Sequence, residues 1–222
     1  MQAIVLVAFA AAVAASLAYV WKRYGSFDPA TGRFPSDLRY FTVLMVHIVS
    51  SSVALATCAL QIWPWLRRRH PRIHRISGRV YIFAGVYPAA ITVLVLETAW
   101  PSINVFSDYI TSSLWLGTTT YGLVLARKRR IADHRRWMLR SFALTISVLF
   151  SQVLQPTIRS LLSVYIDNEY AMMLTSSAIT VWMSWILPFL AVEWLLEREQ
   201  LRRSAPLRRL SGTEVGQSTS GA

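Results

Sequence analysis

Long apolar runs alternate with blocks of arginine along this chain, and a lipid bilayer is the environment that such an alternation fits. Residues 66–79 hold Arg67, Arg68, Arg69, Arg72, Arg75 and Arg79; residues 127–140 hold Arg127, Lys128, Arg129, Arg130, Arg135, Arg136 and Arg140. The apolar runs between and around them are long enough to cross a hydrocarbon core, which takes roughly 20 helical residues at about 1.5 Å each. The pattern reads as an all-α, polytopic membrane helix bundle of about six transmembrane helices. With 54% hydrophobic and 15% charged residues, the chain is too poor in charge for a soluble domain of 222 residues. Its net charge of +12 sits at helix ends rather than along a solvated face. The partners this implies are the bilayer and its anionic lipid headgroups, not nucleic acid.

The candidate spans are 3–20, 40–63, 80–96, 109–126, 137–155 and 171–195. The first has small residues that would suit a signal peptide, but no basic region precedes it, and Lys22 and Arg23 follow; it reads as a retained span. Basic loops follow spans two and four, and Arg198, Arg202, Arg203, Arg208 and Arg209 follow span six. The loop 97–108 has no Lys or Arg, and 156–170 has only Arg159. Both termini are therefore expected in the cytoplasm, in a multi-pass protein of the cell membrane, with a bacterial cytoplasmic membrane the best fit. The exception is 21–39, expected outside although it carries Lys22, Arg23, Arg33 and Arg39. Residues 1–200 read as one membrane domain. Residues 201–222 read as a basic tail, disordered from Ser211 onward.

Polar groups inside spans are the default pointers to function, because burying them without partners costs several kcal/mol. His47, Ser50, Ser51, Ala54, Cys58 and Gln61 share one face of span two, and Leu44, Ile48, Val49, Val53, Leu55 and Leu60 take the opposite, lipid-directed face. Thr92, Ser112, Ser113, Gln152, Thr175, Ser176 and Ser177 fall at a similar depth, and Glu97, Asp108, Asp167 and Glu169 rim that side. An outer cavity with His47, Ser51, Gln61 and Gln152 as ligand-binding candidates follows; ordinary interhelical hydrogen bonding accounts for the same residues. Cys58, the single cysteine, reads as a small core residue.

His70, His74 and His134 gather among arginines at the expected inner rim. Three imidazoles can hold a divalent metal if the hairpins bring them together, but the surrounding cations favour an anion, and no metal site is assigned. The anion or lipid-headgroup candidates are His74, Arg75, Arg79, His134, Arg135 and Arg140. Capping of helix starts is the alternative. A transmembrane haem needs two histidines at matched depth, and His47 has no partner at its own; haem through one ligand, or through His74 and His134, stays open. No nucleotide-loop, zinc-protease, serine-hydrolase or dinucleotide fingerprint occurs. A weak internal repeat links His74-Arg75 leading into span three with His134-Arg135 leading into span five.

Two stretches carry a family resemblance. One is Arg67-Arg68-Arg69-x-Pro71-x-x-His74-Arg75-x-x-Gly78-Arg79-Val80-Tyr81, preceded by His47 in a span. The other is His134-Arg135-Arg136-Trp137-Met138-Leu139-Arg140-Ser141-Phe142-Ala143-Leu144-Thr145. Over about residues 40–155 the chain resembles the predicted membrane protein family called domain of unknown function 2306. The resemblance implies a membrane helix bundle and supplies no reaction or cofactor.

Three function classes remain. The first is a binding or accessory membrane protein that holds a lipid or small amphipathic ligand, and it is the reading adopted. The second is a haem- or quinone-linked redox protein. The third is a small transporter, to which Pro88 and Pro188 would contribute broken helices.

Overall fold

The computed structural model describes residues 2–24 and 37–218, with side chains for 4–24 and 37–202. The loop expected at 21–39 falls largely outside them. Every element described is helical. The helices are α1 (Gln2–Tyr24), α2 (Leu38–Ile62), α3 (Pro64–Arg69) and α4 (Pro71–Val80). A π-helical segment (Tyr81–Val86) leads into α5 (Tyr87–Ala99). Then come α6 (Val105–Arg127), α7 (Ile131–Thr145), α8 (Ser147–Leu162) and α9 (Glu169–Ser218). The tail read as disordered from Ser211 continues the helical backbone of α9 to Ser218.

Local chemistry sets the boundaries. Asp37 caps α2 by accepting from the Arg39 N–H at 2.8 Å. Prolines open α3 and α4, where a missing N–H costs nothing. The turn from α6 to α7 is a Schellman motif: Arg130 N–H reaches the Leu125 carbonyl and Arg129 N–H the Ala126 carbonyl, both at 3.0 Å. Arg129 takes the left-handed conformation at φ 60° that this motif demands.

Among the described residues, five helical stretches are long and apolar enough to cross a membrane: Ile4–Tyr24, Leu38–Ile62, Pro71–Ala99, Ile131–Leu162 and Glu169–Arg202. They match five of the six expected spans to within a residue or extend beyond them. The fourth expected span falls in α6, which at 23 residues is about 34 Å long but is more polar than the others. Much of its polarity points inward, since Ser107, Ser112, Thr118 and Thr119 are buried, while Ser113 and Thr120 are exposed.

α2 packs against α4, the π segment and α5; α6 packs against α7; α8 lies along α9. The hairpin of α2 with α4 and α5 and the hairpin of α6 with α7 meet where α5 touches α6 and α2 touches α7. The core between them is built from Ala54, Cys58, Tyr81, Ile82, Val86, Met138 and Phe142. Gly85 makes that contact close, because a Cβ there would stand 2.9 Å from the Ala54 Cα. Cys58 is fully buried in this core.

Two expectations change. Ile48 and Leu55, placed on the lipid-directed face of α2, are buried. The cause is that α2 also meets α1 and α7, so more than one of its faces is covered. Pro188 does not break α9, which runs uninterrupted past it, as membrane helices allow. The interruptions fall elsewhere, at the π segment preceding Pro88 and at Ile146 between α7 and α8.

Candidate functional site

His47 stands on α2 with its Nδ1 3.0 Å from the Ala89 carbonyl oxygen. A carbonyl only accepts, so Nδ1 carries the proton and Nε2 keeps its lone pair. Ser51, one turn further on, donates its hydroxyl to that Nε2 over 3.3 Å. The Ala89 carbonyl also accepts from the Thr92 hydroxyl at 2.8 Å.

Two cavities meet at this histidine. One, of about 290 Å³, is lined by Tyr40, Leu44, His47, Val93, Leu96, Glu97, Trp100, Ser102 and Asp108. The other, of about 330 Å³, passes Ser51, Thr111, Ser112, Trp115, Thr145, Ser147, Ser184 and Trp185. His47, Val93 and Asp108 belong to both walls. At the mouth, Glu97 accepts from the Ser102 N–H at 2.8 Å, and Tyr40 meets Trp100 edge to face at 5.4 Å. Burial pushes the Asp108 carboxyl, in the first turn of α6, up to about 7; the neighbouring Glu97 adds to the shift and a bond with Ser102 opposes it.

Beneath the second cavity lies a network of hydroxyls that the sequence reading missed. Tyr81 Oη is 2.6 Å from both Ser141 Oγ and Thr145 Oγ1. Ser141 Oγ is in turn 2.7 Å from Thr119 Oγ1, and the Trp115 indole N–H donates to Thr145 at 3.0 Å. Thr145 also donates to the Ser141 carbonyl at 2.9 Å. Tyr81, Ser141 and Thr119 are fully buried. The signal that would have found them is the repeat itself. Tyr81 follows His74 by seven residues, and Ser141 follows His134 by the same interval.

Of the outer candidates, the structure brings His47 and Ser51 together on the cavity wall. Gln61 lies at the other end of α2, where its amide donates to the His74 carbonyl at 2.9 Å and to Ser77 Oγ at 2.6 Å. Gln152 is half-buried on α8 and lines neither cavity, although its neighbour Ser151 lines the second.

At the arginine-rich end, His134 donates from Nδ1 to the Gly122 carbonyl at 2.7 Å, which leaves its Nε2 without a partner. His74 lies close enough to His134 and Arg67 to feel their charges, and its own Nδ1 is buried without a partner. Arg135 pairs with Glu199 at 3.3 Å. Arg140 grips Glu193 with two bonds, 2.5 and 2.8 Å, and lies over the Trp137 ring at 4.7 Å. Arg75 and Arg79 are exposed and pair with no acid among the described residues.

No curated protein and no solved structure matches this chain. The family of predicted membrane proteins DUF2306 matches residues 44–196, which take in every cavity-lining residue named except Tyr40, the hydroxyl network and both histidine–arginine blocks. The chain belongs to that family of predicted membrane proteins.

Proposed function

We propose that this membrane protein is a binding or accessory protein that holds a small amphipathic ligand in the cavity between its two hairpins. The observation that carries this reading is the meeting of two cavities at His47, Val93 and Asp108. A mostly apolar space with a few fixed polar groups is the usual form of a small-molecule site. The aromatic walls, Trp100, Trp115 and Trp185, supply the apolar part, and His47, Ser51 and Asp108 supply orientation. With the arginine-rich end on the cytoplasmic side of a bacterial cytoplasmic membrane, the mouth at Glu97 and Trp100 faces outward.

At the cytoplasmic end, exposed Arg75 and Arg79 beside exposed Ile73 and Ile76 suit contact with anionic lipid headgroups. Native mass spectrometry of protein released from phosphatidylglycerol nanodiscs tests this. Arg75→Gln with Arg79→Gln should lower lipid retention, and unchanged retention would remove the headgroup assignment.

The cavity is tested with 4-butylphenol and 4-butylanisole, two probes of fitting size. Either should raise the unfolding temperature of the protein in mild detergent, as any ligand of the folded state does. Ser184→Phe, which fills the second cavity, should remove the effect. Shifts identical in the protein and this variant, or no shift with either probe, would sink the reading.

A redox function is the second reading. His134, with Nδ1 fixed on a carbonyl, Nε2 free and His74 nearby, has the arrangement of an oriented ligating histidine. Visible spectra of the oxidised and dithionite-reduced protein decide it. A Soret band that moves on reduction supports haem, and a featureless spectrum removes it.

A further inference from the structure

We infer that the cavity selects an uncharged, flat ligand through one hydroxyl that the ligand donates to His47 Nε2. This rests on the ligand-binding reading above and names the chemistry of that site.

Several hydroxyl and indole donors of the wall are already committed within the protein. Thr111 donates to the Ser107 carbonyl at 2.8 Å, Ser184 to the Val181 carbonyl at 2.9 Å and Ser151 to the Val148 carbonyl at 2.9 Å. The Trp185 indole N–H is held by Ser107 Oγ at 3.0 Å, and that of Trp115 by Thr145. The hydroxyl oxygens of Thr111, Ser184 and Ser151 therefore keep lone pairs for a guest while their protons stay on the protein backbone.

His47 follows the same logic with a stronger acceptor. Its tautomer is fixed by the Ala89 carbonyl, so the free nitrogen can only accept. Its present partner, Ser51, is 3.3 Å away, longer than a good O–H···N bond, and a ligand hydroxyl competes with it readily. No lysine or arginine lines either cavity, so an anionic guest has no counter-charge. Trp115, Trp185 and Val93 line the second cavity, so its apolar wall includes two aromatic side chains on which a ring can pack. A phenol- or hydroquinone-type head fits all of these conditions.

The test compares 4-butylphenol with 4-butylanisole, its methyl ether, which has the same ring and tail and no donor. Affinities come from quenching of indole fluorescence in the detergent-solubilised full chain, with Ser184→Phe as the blank for micelle partition. The phenol should bind about tenfold more tightly, the value of one well-made hydrogen bond. His47→Phe should bring the ratio near one. Equal affinities in the unaltered protein overturn the inference but leave the cavity as a binding site. A phenol preference that survives His47→Phe also overturns it, because the acceptor is then another residue. If neither probe binds, the inference and the ligand-binding reading fall together. Should His47→Phe not fold, Ser51→Ala decides: removing the competing hydroxyl should widen the phenol preference, and an unchanged or narrower preference overturns the assignment.

Discussion

Replacing Tyr81 with phenylalanine removes one oxygen from the middle of the bundle and little else. The ring stays, and with it the edge-to-face contact with Phe142 at 5.1 Å. What goes is the oxygen that bridges the Ser141 and Thr145 hydroxyls, by bonds of 2.6 Å on each side. One assignment of protons satisfies every hydroxyl: Thr119 donates to Ser141, Ser141 to Tyr81, Tyr81 to Thr145, and Thr145 to the Ser141 carbonyl. Without the tyrosine oxygen, the Ser141 proton loses its acceptor. A buried group stranded in this way costs about 1–3 kcal/mol.

Repair is partial, because Ser141 can turn its proton toward Thr119 at 2.7 Å, and Thr119 can then turn back to a carbonyl of its own helix. Measured interhelical hydrogen bonds in bilayers average about 0.6 kcal/mol and reach about 1.7. The expected loss for Tyr81→Phe is therefore about 1–2 kcal/mol, below the roughly 3–5 of a large-to-alanine cavity. Unfolding in mixed micelles with increasing dodecyl sulfate, followed by near-ultraviolet circular dichroism, reads it. A double-mutant cycle with Thr119→Val, which touches Tyr81 only through Ser141, should show coupling. A Tyr81→Phe protein within the ±0.5 kcal/mol of an ordinary surface change, with no coupling to Thr119, would refute the network as a structural unit.

Four further outcomes are expected from the same unfolding assay. Gly85→Ala should destabilise by about 1–3 kcal/mol, since its Cβ would meet Ala54 Cα at 2.9 Å and the hairpin must spread; an unchanged midpoint would mean the contact is loose. Arg129→Gly should stabilise by roughly 1 kcal/mol by relieving the left-handed conformation at φ 60°, and a loss would mean that the side chain matters there. Glu193→Gln should cost about 1 kcal/mol or more by leaving half-buried Arg140 unpaired, whereas Arg140→Met with Glu193→Leu should recover most of it; a double variant worse than the single one would contradict this. Asp108, with a folded-state pKa raised to about 7, favours the folded protein most below the ordinary carboxylate range near 4, and that contribution is lost as pH rises through about 7; Asp108→Asn should flatten the decline between pH 5 and pH 8, and an unchanged slope would assign it to another group.

Spacing and charge made the helices legible, because hydrocarbon thickness fixes span length and arginine marks span ends. Five expected spans fall, to within a residue, inside stretches that meet both requirements. α6 was harder, since its many serines and threonines, of which Ser107, Ser112, Thr118 and Thr119 are buried, lower its apolar content without shortening it. The pairing of His47 with Ser51 follows from one helical turn, so it was visible; their contact with Ala89 was not, because it joins α2 to α5 across 42 positions. Gln61 shares a face with His47, yet about 14 residues of helix rise, roughly 21 Å, carry it to the other end of the bundle. A helical wheel records direction and discards depth, and this discards what separates a cavity residue from a brace. The six residues of the π segment, Tyr81–Val86, are apolar or aromatic like their neighbours, so the only sequence signal for it was Pro88, whose missing N–H cannot bond the Ala84 carbonyl.

The repeat then explains why polar groups converge at two levels rather than scatter. His47 precedes His74 by 27 residues, and Asp108 precedes His134 by 26, so the two hairpins bring related positions to one cavity. Deeper, Tyr81 and Ser141 sit at matching offsets and meet each other. The helix interruptions also match: the π segment ends at Val86 and α7 gives way at Ile146, each twelve residues past its histidine. At the deeper level the hydroxyls satisfy one another, and nothing is left over for a guest. At the upper level Thr111, Ser151 and Ser184 donate to the backbone, and the His47 Nε2, held only by the long bond from Ser51, lies on the wall shared by both cavities with Asp108. The two levels should therefore separate under mutation. Changes at Tyr81, Ser141 or Thr119 should lower stability and leave the affinity of the remaining folded protein for a probe intact. Changes at His47 or Val93 should alter affinity with a smaller change in stability. If affinity and stability instead fell together at both levels, the cavity would be a by-product of packing, and the ligand would have to be sought at the arginine-rich end.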